Sequence, residues 1–269
     1  MGTMTIDPDS RPEQGSSPVQ DSLSAPGPSP DPGPLPTGGG LGVAIPAAGT
    51  GTRMGGARKA FLTLEGEPIL LRALRPFLAH PRVISVAIAL SQEDVRSPPS
   101  WLQALDDRVR LVAGGATRLH SVRAALAALR PGVEVILVHD AARPLVTREI
   151  IDRCVAAAEE GEGAVAGWPA VDTMKEVDAL GRVLSTPDRD ALWRAQTPQA
   201  FPRGPLMEAY RRAVEEGVPA TDDSALFSRY GGRVRMVKGA PWNLKVTHPE
   251  DVEVAELFLR RQKEGSRER

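Results

Sequence analysis

The strongest constraint on this chain is that its short apolar runs are apolar at consecutive positions. Val43-Ala44-Ile45, Val86-Ala87-Ile88-Ala89-Leu90 and Val135-Ile136-Leu137-Val138 offer no polar face. A strand of that kind must be covered on both sides, as in a parallel sheet flanked by helices. Strands are accordingly predicted at 41–47, 83–89, 109–112, 135–138 and 164–166. Between them, the segments 69–79, 119–129 and 150–160 space their apolar residues at three and four, the helical period. The pattern predicts an α/β fold, a Rossmann-like and mostly parallel sheet with helices on both faces. In such sheets a ligand meets the loops at the C-terminal ends of the strands.

The alternation lapses between Asp172 and Gln199. There, Lys175-Glu176-Val177-Asp178, then Gly181, then Arg182-Val183-Leu184 resemble a hairpin turning over 178–181. We read 172–199 as a β-arm that leaves the main sheet. A last helix is predicted over 249–263, with Thr247 placed as its N-cap.

Composition marks where the domain begins. Residues 1–40 hold nine Pro, seven Gly and six Ser with almost no large apolar side chain, so they are expected to form a disordered tail ahead of one domain over 41–269. Five acidic residues against one Arg, and no apolar run, give that tail neither a secretory nor a transit-peptide pattern. Beyond it, 32 Lys/Arg stand against 29 Asp/Glu with no polybasic run, which disfavours nucleic acid or a membrane surface as partner and suits a small anionic substrate. Cys154 is the single cysteine and no apolar stretch reaches 18 residues, so a soluble, cytoplasmic protein is expected.

The first candidate site follows the first strand, at Pro46-Ala47-Ala48-Gly49-Thr50-Gly51-Thr52-Arg53-Met54-Gly55-Gly56-Ala57-Arg58-Lys59. Its four glycines let backbone N–H groups approach a ligand, and Arg53, Arg58 and Lys59 add cations, which suits phosphate; the bland alternative is a glycine turn with solvated charges. Two common phosphate loops fail on spacing. A dinucleotide fingerprint needs a glycine where Met54 stands, and a P-loop needs Gly-Lys-Ser/Thr where Gly56 is followed by Ala57-Arg58. The second candidate is Val138-His139-Asp140-Ala141-Ala142-Arg143-Pro144, which places Asp140 just past a buried strand. A carboxylate there either holds Mg²⁺ between phosphates or caps the following turn with Arg143 as its partner. His139 has no second His or Cys at metal-ligand spacing and reads as structural.

The Gly-x-Gly-x-Arg-Met loop resembles the signature of the sugar-nucleotide pyrophosphorylase superfamily. Pro46-Ala-Ala-Gly49, Val138 to Pro144, Asp172-Thr-Met-Lys175, Thr197-Pro-Gln199, Thr221-Asp222 and Asn243-Leu-Lys-Val-Thr247 then occur in one order. Together, over about residues 41–260, they resemble the 2-C-methyl-D-erythritol 4-phosphate cytidylyltransferase family. The resemblance implies that Pro46, Ala47, Ala48, Gly49, Thr50, Gly51, Arg53 and Lys59 hold the phosphates of CTP, with Arg53, Lys59 and Lys245 catalytic. It implies cytosine and ribose contacts from Gly114, Arg118, Ser121, Asp140, Ala141 and Arg143, with Asp140 the Mg²⁺ ligand. It further implies contacts to the methylerythritol phosphate from Thr173, Arg189, Thr221 and Lys245, and a homodimer in which the arm reaches the neighbour's site.

Two departures stand out. Arg58-Lys59-Ala60-Phe61 replaces the frequent Pro-Lys-Gln-Tyr, and Ala116 stands where a carboxylate is frequent, leaving that contact to flanking backbone. Taken singly, the same residues also have ordinary uses. Lys245 and Arg189 suit a solvated surface, Thr173 and Thr221 a strand or cap, Ser121 a helix start, and Trp242 either packing or a wall of the site. The rival activities are transfer to another polyol phosphate such as ribitol 5-phosphate, or nucleotide sensing without turnover.

Overall fold

The computed structural model describes residues 38–49, 59–219 and 222–267, the side chains of Lys59 and of residues 263–267 excepted. Residues 1–37 of the tail expected over 1–40, and the predicted site residues Thr50, Gly51, Arg53 and Thr221, lie outside the described residues, while Gly40 already begins the first strand.

In chain order the strands are β1 (Gly40–Pro46), β2 (Thr63–Leu64), β3 (Glu67–Pro68), β4 (Val83–Leu90), β5 (Val109–Ala113), β6 (Val133–Val138), β7 (Gly163–Pro169), β8 (Glu176–Val177), β9 (Val183–Ser185), β10 (Trp193–Pro202) and β11 (Val234–Lys238). The helices are α1 (Ile69–Leu78), α2 (Gln92–Arg96), α3 (Ser100–Gln103), α4 (Arg118–Ala128), α5 (Arg148–Glu159), α6 (Arg203–Glu215), α7 (Asp223–Arg229) and α8 (Pro249–Arg267).

Seven strands form one sheet in the order β11-β7-β10-β6-β1-β4-β5. All neighbours are parallel except β10, which runs antiparallel to both β6 and β7. The expected mostly parallel α/β sheet is therefore the one observed. Its uninterrupted apolar runs divide by parity between two cores. Val43, Ile45, Val86, Ile88, Val135 and Leu137 face α1 and α5, while Ala44, Ala87, Ala89, Ile136 and Val138 face α4, α6 and α7. Successive strand side chains point to opposite faces, so each run supplies both cores at once. The alanines on the second face leave room for larger residues there, including Phe201, Tyr210 and Phe227.

The chain leaves β1 for β4 and β5 on one side, then returns to build β6 on the other. The C-terminal ends of β1 and β6 consequently lie side by side at a topological switch point, where a crevice opens. The register pairs Ala44 with Val138, and the His139 N–H donates to the Ala44 carbonyl at 3.0 Å. Pro46 and Asp140 thus leave the sheet next to each other.

One expectation needs correction. The arm ends sooner than Gln199, because Trp193–Pro202 is the antiparallel strand of the main sheet. Ahead of α8, the Thr247 N–H and hydroxyl both donate to Asp251 Oδ2, which also receives the His248 N–H at 2.8 Å. The hairpin itself forms where the turn residues sit. β8 pairs with β9, the Gly181 N–H reaches the Asp178 carbonyl at 3.0 Å, and Gly181 adopts a φ of 76°, a conformation costly for other residues.

Candidate active site

At the end of β6 the chain turns through His139, Asp140, Ala141 and Ala142 to Arg143, whose N–H closes the turn on the Asp140 carbonyl at 3.0 Å. A relay of hydrogen bonds fixes this turn. The Asp140 N–H donates to Thr197 Oγ1 at 3.0 Å, the Thr197 hydroxyl lies 3.0 Å from His139 Nδ1, and His139 Nε2 lies 3.1 Å from the Arg143 carbonyl. The Arg143 carbonyl can only accept, so the hydrogen of the neutral His139 ring sits on Nε2 and is donated to that carbonyl. Nδ1 is then an acceptor, and the Thr197 hydroxyl donates to it. The imidazole is fully buried; burial first of all pulls its pKa down, to about 4, so it is neutral at ordinary pH.

Asp140 gathers three cations. Lys245 Nζ lies 3.0 Å from Oδ2, Arg143 Nε 3.4 Å from Oδ2, and Arg118 Nη2 3.9 Å from Oδ1. Burial alone raises a carboxyl pKa, but Lys245, then Arg143 and Arg118, outweigh it and hold Asp140 at about 2. Lys245 reaches this position because the segment after Asn243 is pinned on both sides. Arg143 Nη1 donates to the Asn243 carbonyl at 2.9 Å, the Val246 N–H to Ala142 at 2.8 Å, and Asn243 Nδ2 to the Thr197 carbonyl at 2.9 Å. Lys245 is therefore no free surface charge, and Asp140 is no mere cap. Trp242, beside this segment, is more than a third exposed.

The second wall is the loop after β5. The Gly114 N–H donates to the Leu90 carbonyl at 2.7 Å, and a Cβ added at Gly114 would stand 2.5 Å from the Ala48 Cβ and 2.8 Å from Ser121 Oγ. Only glycine lets this loop and the loop after β1 come so close. Thr117, not Ser121, caps α4, taking the His120 N–H at 3.3 Å; the Ser121 hydroxyl closes the loop, accepting the Gly115 N–H and donating to the Thr117 carbonyl.

The fold thus brings Ala48, Gly114 and Ser121 into one wall, and Arg118, Asp140, Arg143 and Lys245 into one ion-paired cluster. Ala47 hydrogen-bonds to β4 through its N–H, and Gly49 is exposed at the lip. Thr173 and Arg189 do not join the cluster. Both are exposed on the arm, and among the described residues the Arg189 guanidinium pairs with Asp190, at 3.9 Å. Sequence reasoning assigned no role to Asp223, which holds Arg118 bidentately at 2.7 and 2.6 Å, nor to Thr197, Gln196 and Asn243, which lock the turn. Thr197 and Asn243 did lie within the motifs; Asp223 stands one residue past Thr221-Asp222, and its partner is 105 residues away.

The family model described as "IspD: 2-C-methyl-D-erythritol 4-phosphate cytidylyltransferase" matches residues 41–261. The chain belongs to that family. Among curated relatives it is 43% identical over 215 residues to the enzyme of that name from Symbiobacterium thermophilum, covering 80% of this chain and 90% of that one. Among solved structures it resembles the 4-diphosphocytidyl-2C-methyl-D-erythritol synthase of Anaerococcus prevotii, with TM-score 0.73 and 28% identity over 82% of this chain and 99% of that one. It also resembles the 2-C-methyl-D-erythritol 4-phosphate cytidylyltransferase of Thermus thermophilus, with TM-score 0.70 and 33% identity over 82% and 99%.

Proposed function

We infer that this chain transfers the cytidylyl group of CTP to 2-C-methyl-D-erythritol 4-phosphate, giving 4-diphosphocytidyl-2-C-methyl-D-erythritol and pyrophosphate on the non-mevalonate route to isoprenoid precursors. The observation that carries this reading, beyond family membership, is a buried, ionised Asp140 held by Lys245, Arg143 and Arg118 at the sheet's switch point. Three cations there face two carboxylates, Asp140 and Asp223, so the crevice is built for anions.

The chemistry needs little more. A phosphomonoester with its second pKa near 6 is largely dianionic at neutral pH, so its oxygen attacks the α-phosphorus of CTP without a general base. One P–O bond forms as the bond to the pyrophosphate leaving group breaks. His139 is in no position to act as a base, since both its nitrogens are engaged and it is buried. What the protein supplies is alignment of two anions and neutralisation of charge on the α-phosphate and leaving group.

In this reading Pro46, Ala47, Ala48, Gly49, Thr50, Gly51, Arg53 and Lys59 hold the triphosphate, and Arg53, Lys59 and Lys245 stabilise the transition state. Gly114, Arg118, Ser121, Asp140, Ala141 and Arg143 surround cytosine and ribose. Among the described residues no group of three or more His, Cys, Asp or Glu could cage a metal. A Mg²⁺ that arrives on the triphosphate and takes one carboxylate suits the donor set at Asp140, where it would neutralise phosphate oxygens.

Thr173, Arg189, Thr221 and Lys245 are assigned to the methylerythritol phosphate. Thr173 and Arg189 sit apart from Asp140 within one chain, and the arm that bears them exposes Val171, Met174, Val177, Leu180, Val183 and Leu184, with Leu180 77% exposed. A strip of that length is covered in a homodimer, whose partner arm brings those residues to the neighbouring site. One buried cysteine, and no described helix long and apolar enough to cross a membrane, are in keeping with a cytoplasmic enzyme.

The test is pyrophosphate release with CTP and Mg²⁺, offering 2-C-methyl-D-erythritol 4-phosphate and ribitol 5-phosphate in parallel. Faster release with the former is expected. Preference for ribitol 5-phosphate reassigns the substrate, and CTP binding without release from either replaces transfer with sensing.

A further inference from the structure

Asp223 is the first residue of α7 and is completely buried, yet it is neither a cap nor a ligand in the reading above. Its Oδ1 accepts from Arg118 Nη1 at 2.7 Å and from the Tyr210 hydroxyl on α6, and its Oδ2 accepts from Arg118 Nη2 at 2.6 Å. Two parallel bonds to a planar guanidinium fix its plane as well as its position. Arg118 keeps 28% of its side chain open and stands 3.9 Å from Asp140. It therefore spans a sealed carboxylate behind it and the working carboxylate in front.

The anchor is itself rigid. Asp222, the N-cap of α7, accepts from the Ala225 N–H at 3.3 Å and from Gln199 Nε2, while Gln199 Oε1 accepts the Ser224 N–H at 3.0 Å. Gln199 lies on β10, the strand whose Thr197 holds the Asp140 N–H. The start of α7 and the Asp140 turn are thus bolted to the same strand, two residues apart. A largely buried ion pair adds little stability over apolar residues of the same volume, so what this pair contributes is orientation.

We infer that Asp223 is a positioning residue for nucleotide binding: it sets the Arg118 guanidinium beside Asp140, and the start of α7 at Asp222 is held in step with the nucleotide wall through that pair. This rests on the cytidylyl-transfer reading only for the identity of the nucleotide. Asp223 touches no substrate itself.

The experiment measures the Kd of CTP with Mg²⁺ by calorimetry, the kcat and KM for CTP, and Tm, in the full-length protein. Its variants are Asp223→Asn, Arg118→Gln and the double variant. Asp223→Asn keeps the volume and one acceptor but loses the charge and the second parallel bond. It is expected to weaken CTP binding about ten-fold, with a smaller change in kcat. Since it acts through Arg118, it should add no further loss in the Arg118→Gln background. Additive losses, an unchanged Kd, or an effect confined to Tm overturn the inference.

Should Asp223→Asn not fold, Asp223→Glu gives the same answer, because it leaves Arg118 in place and keeps the charge but shifts both acceptor oxygens by one methylene, which moves the guanidinium. A loss of about ten-fold supports orientation, and wild-type affinity overturns it. A wild-type protein that binds CTP but releases no pyrophosphate defeats the transfer reading alone, and the Kd series still decides the role of Asp223. A wild type that binds no CTP overturns both.

Discussion

His139 should make this protein lose stability on mild acidification, by an amount that follows from its surroundings. The imidazole is fully buried at the end of β6, with Nδ1 taking the Thr197 hydroxyl and Nε2–H given to the Arg143 carbonyl. Burial lowers its pKa from 6.5 to about 4 despite the neighbouring Asp140 carboxylate. The folded state resists a proton that the unfolded chain accepts near 6.5. The stability it contributes is therefore intact above about pH 7 and is lost as the pH falls from 6.5 toward 4. A gap of about 2.5 units at 1.36 kcal/mol each is about 3 kcal/mol over the whole window, and about 2 kcal/mol between pH 8 and pH 5.

Urea unfolding at those two pH values and constant ionic strength, on the wild type and His139→Gln, measures it. Gln keeps an acceptor and a donor at its amide but has no proton to gain. His80, whose pKa burial also lowers, titrates in both proteins and cancels in the comparison. The wild type should lose about 2 kcal/mol more than the variant on moving from pH 8 to pH 5. Parallel losses in the two proteins would refute the reasoning, because they would mean that His139 is protonated as readily folded as unfolded.

Three further outcomes test the site assignments. Lys59→Ala should cost roughly 10²-fold in kcat with CTP and Mg²⁺, as removal of one transition-state donor does, and near-wild-type turnover removes Lys59 from the mechanism. Arg189→Ala should raise KM for the polyol phosphate while sparing the Kd of CTP by calorimetry; the reverse pattern exchanges the two sites. Leu180→Glu with Leu184→Glu, which puts charges on the exposed aliphatic strip of the arm, should turn a dimer into a monomer by analytical ultracentrifugation and lower turnover with it. A wild-type protein that already sediments as a monomer defeats the arm's assigned role.

Much of this molecule follows from adjacent residues. Consecutive apolar positions such as 135–138 force a strand covered on both faces, and the observed cores divide those residues by parity. Pro46–Gly49 and the Asp-Ala-Ala-Arg stretch lie at strand ends beside the crevice, and Gly181 marks the arm's turn, because each signal lies within a few residues of chain.

β10 was hidden for the opposite reason. Gln196, Thr197 and Gln199 interrupt any apolar pattern, and they are buried only because Ala240, Asn243, His139 and Asp222 arrive from elsewhere to bond them. That Lys245 is paired with Asp140, that Ser121 closes a loop and does not open a helix, and that Asp223 anchors Arg118 were likewise decided only when the sheet closed. Local sequence determined which segments are strands, helices and the loops at the ends of the strands, since those depend on backbone propensity and burial pattern. Tertiary structure alone decided which charges meet, since partners up to 105 residues apart are brought within a few ångströms only by the packed fold.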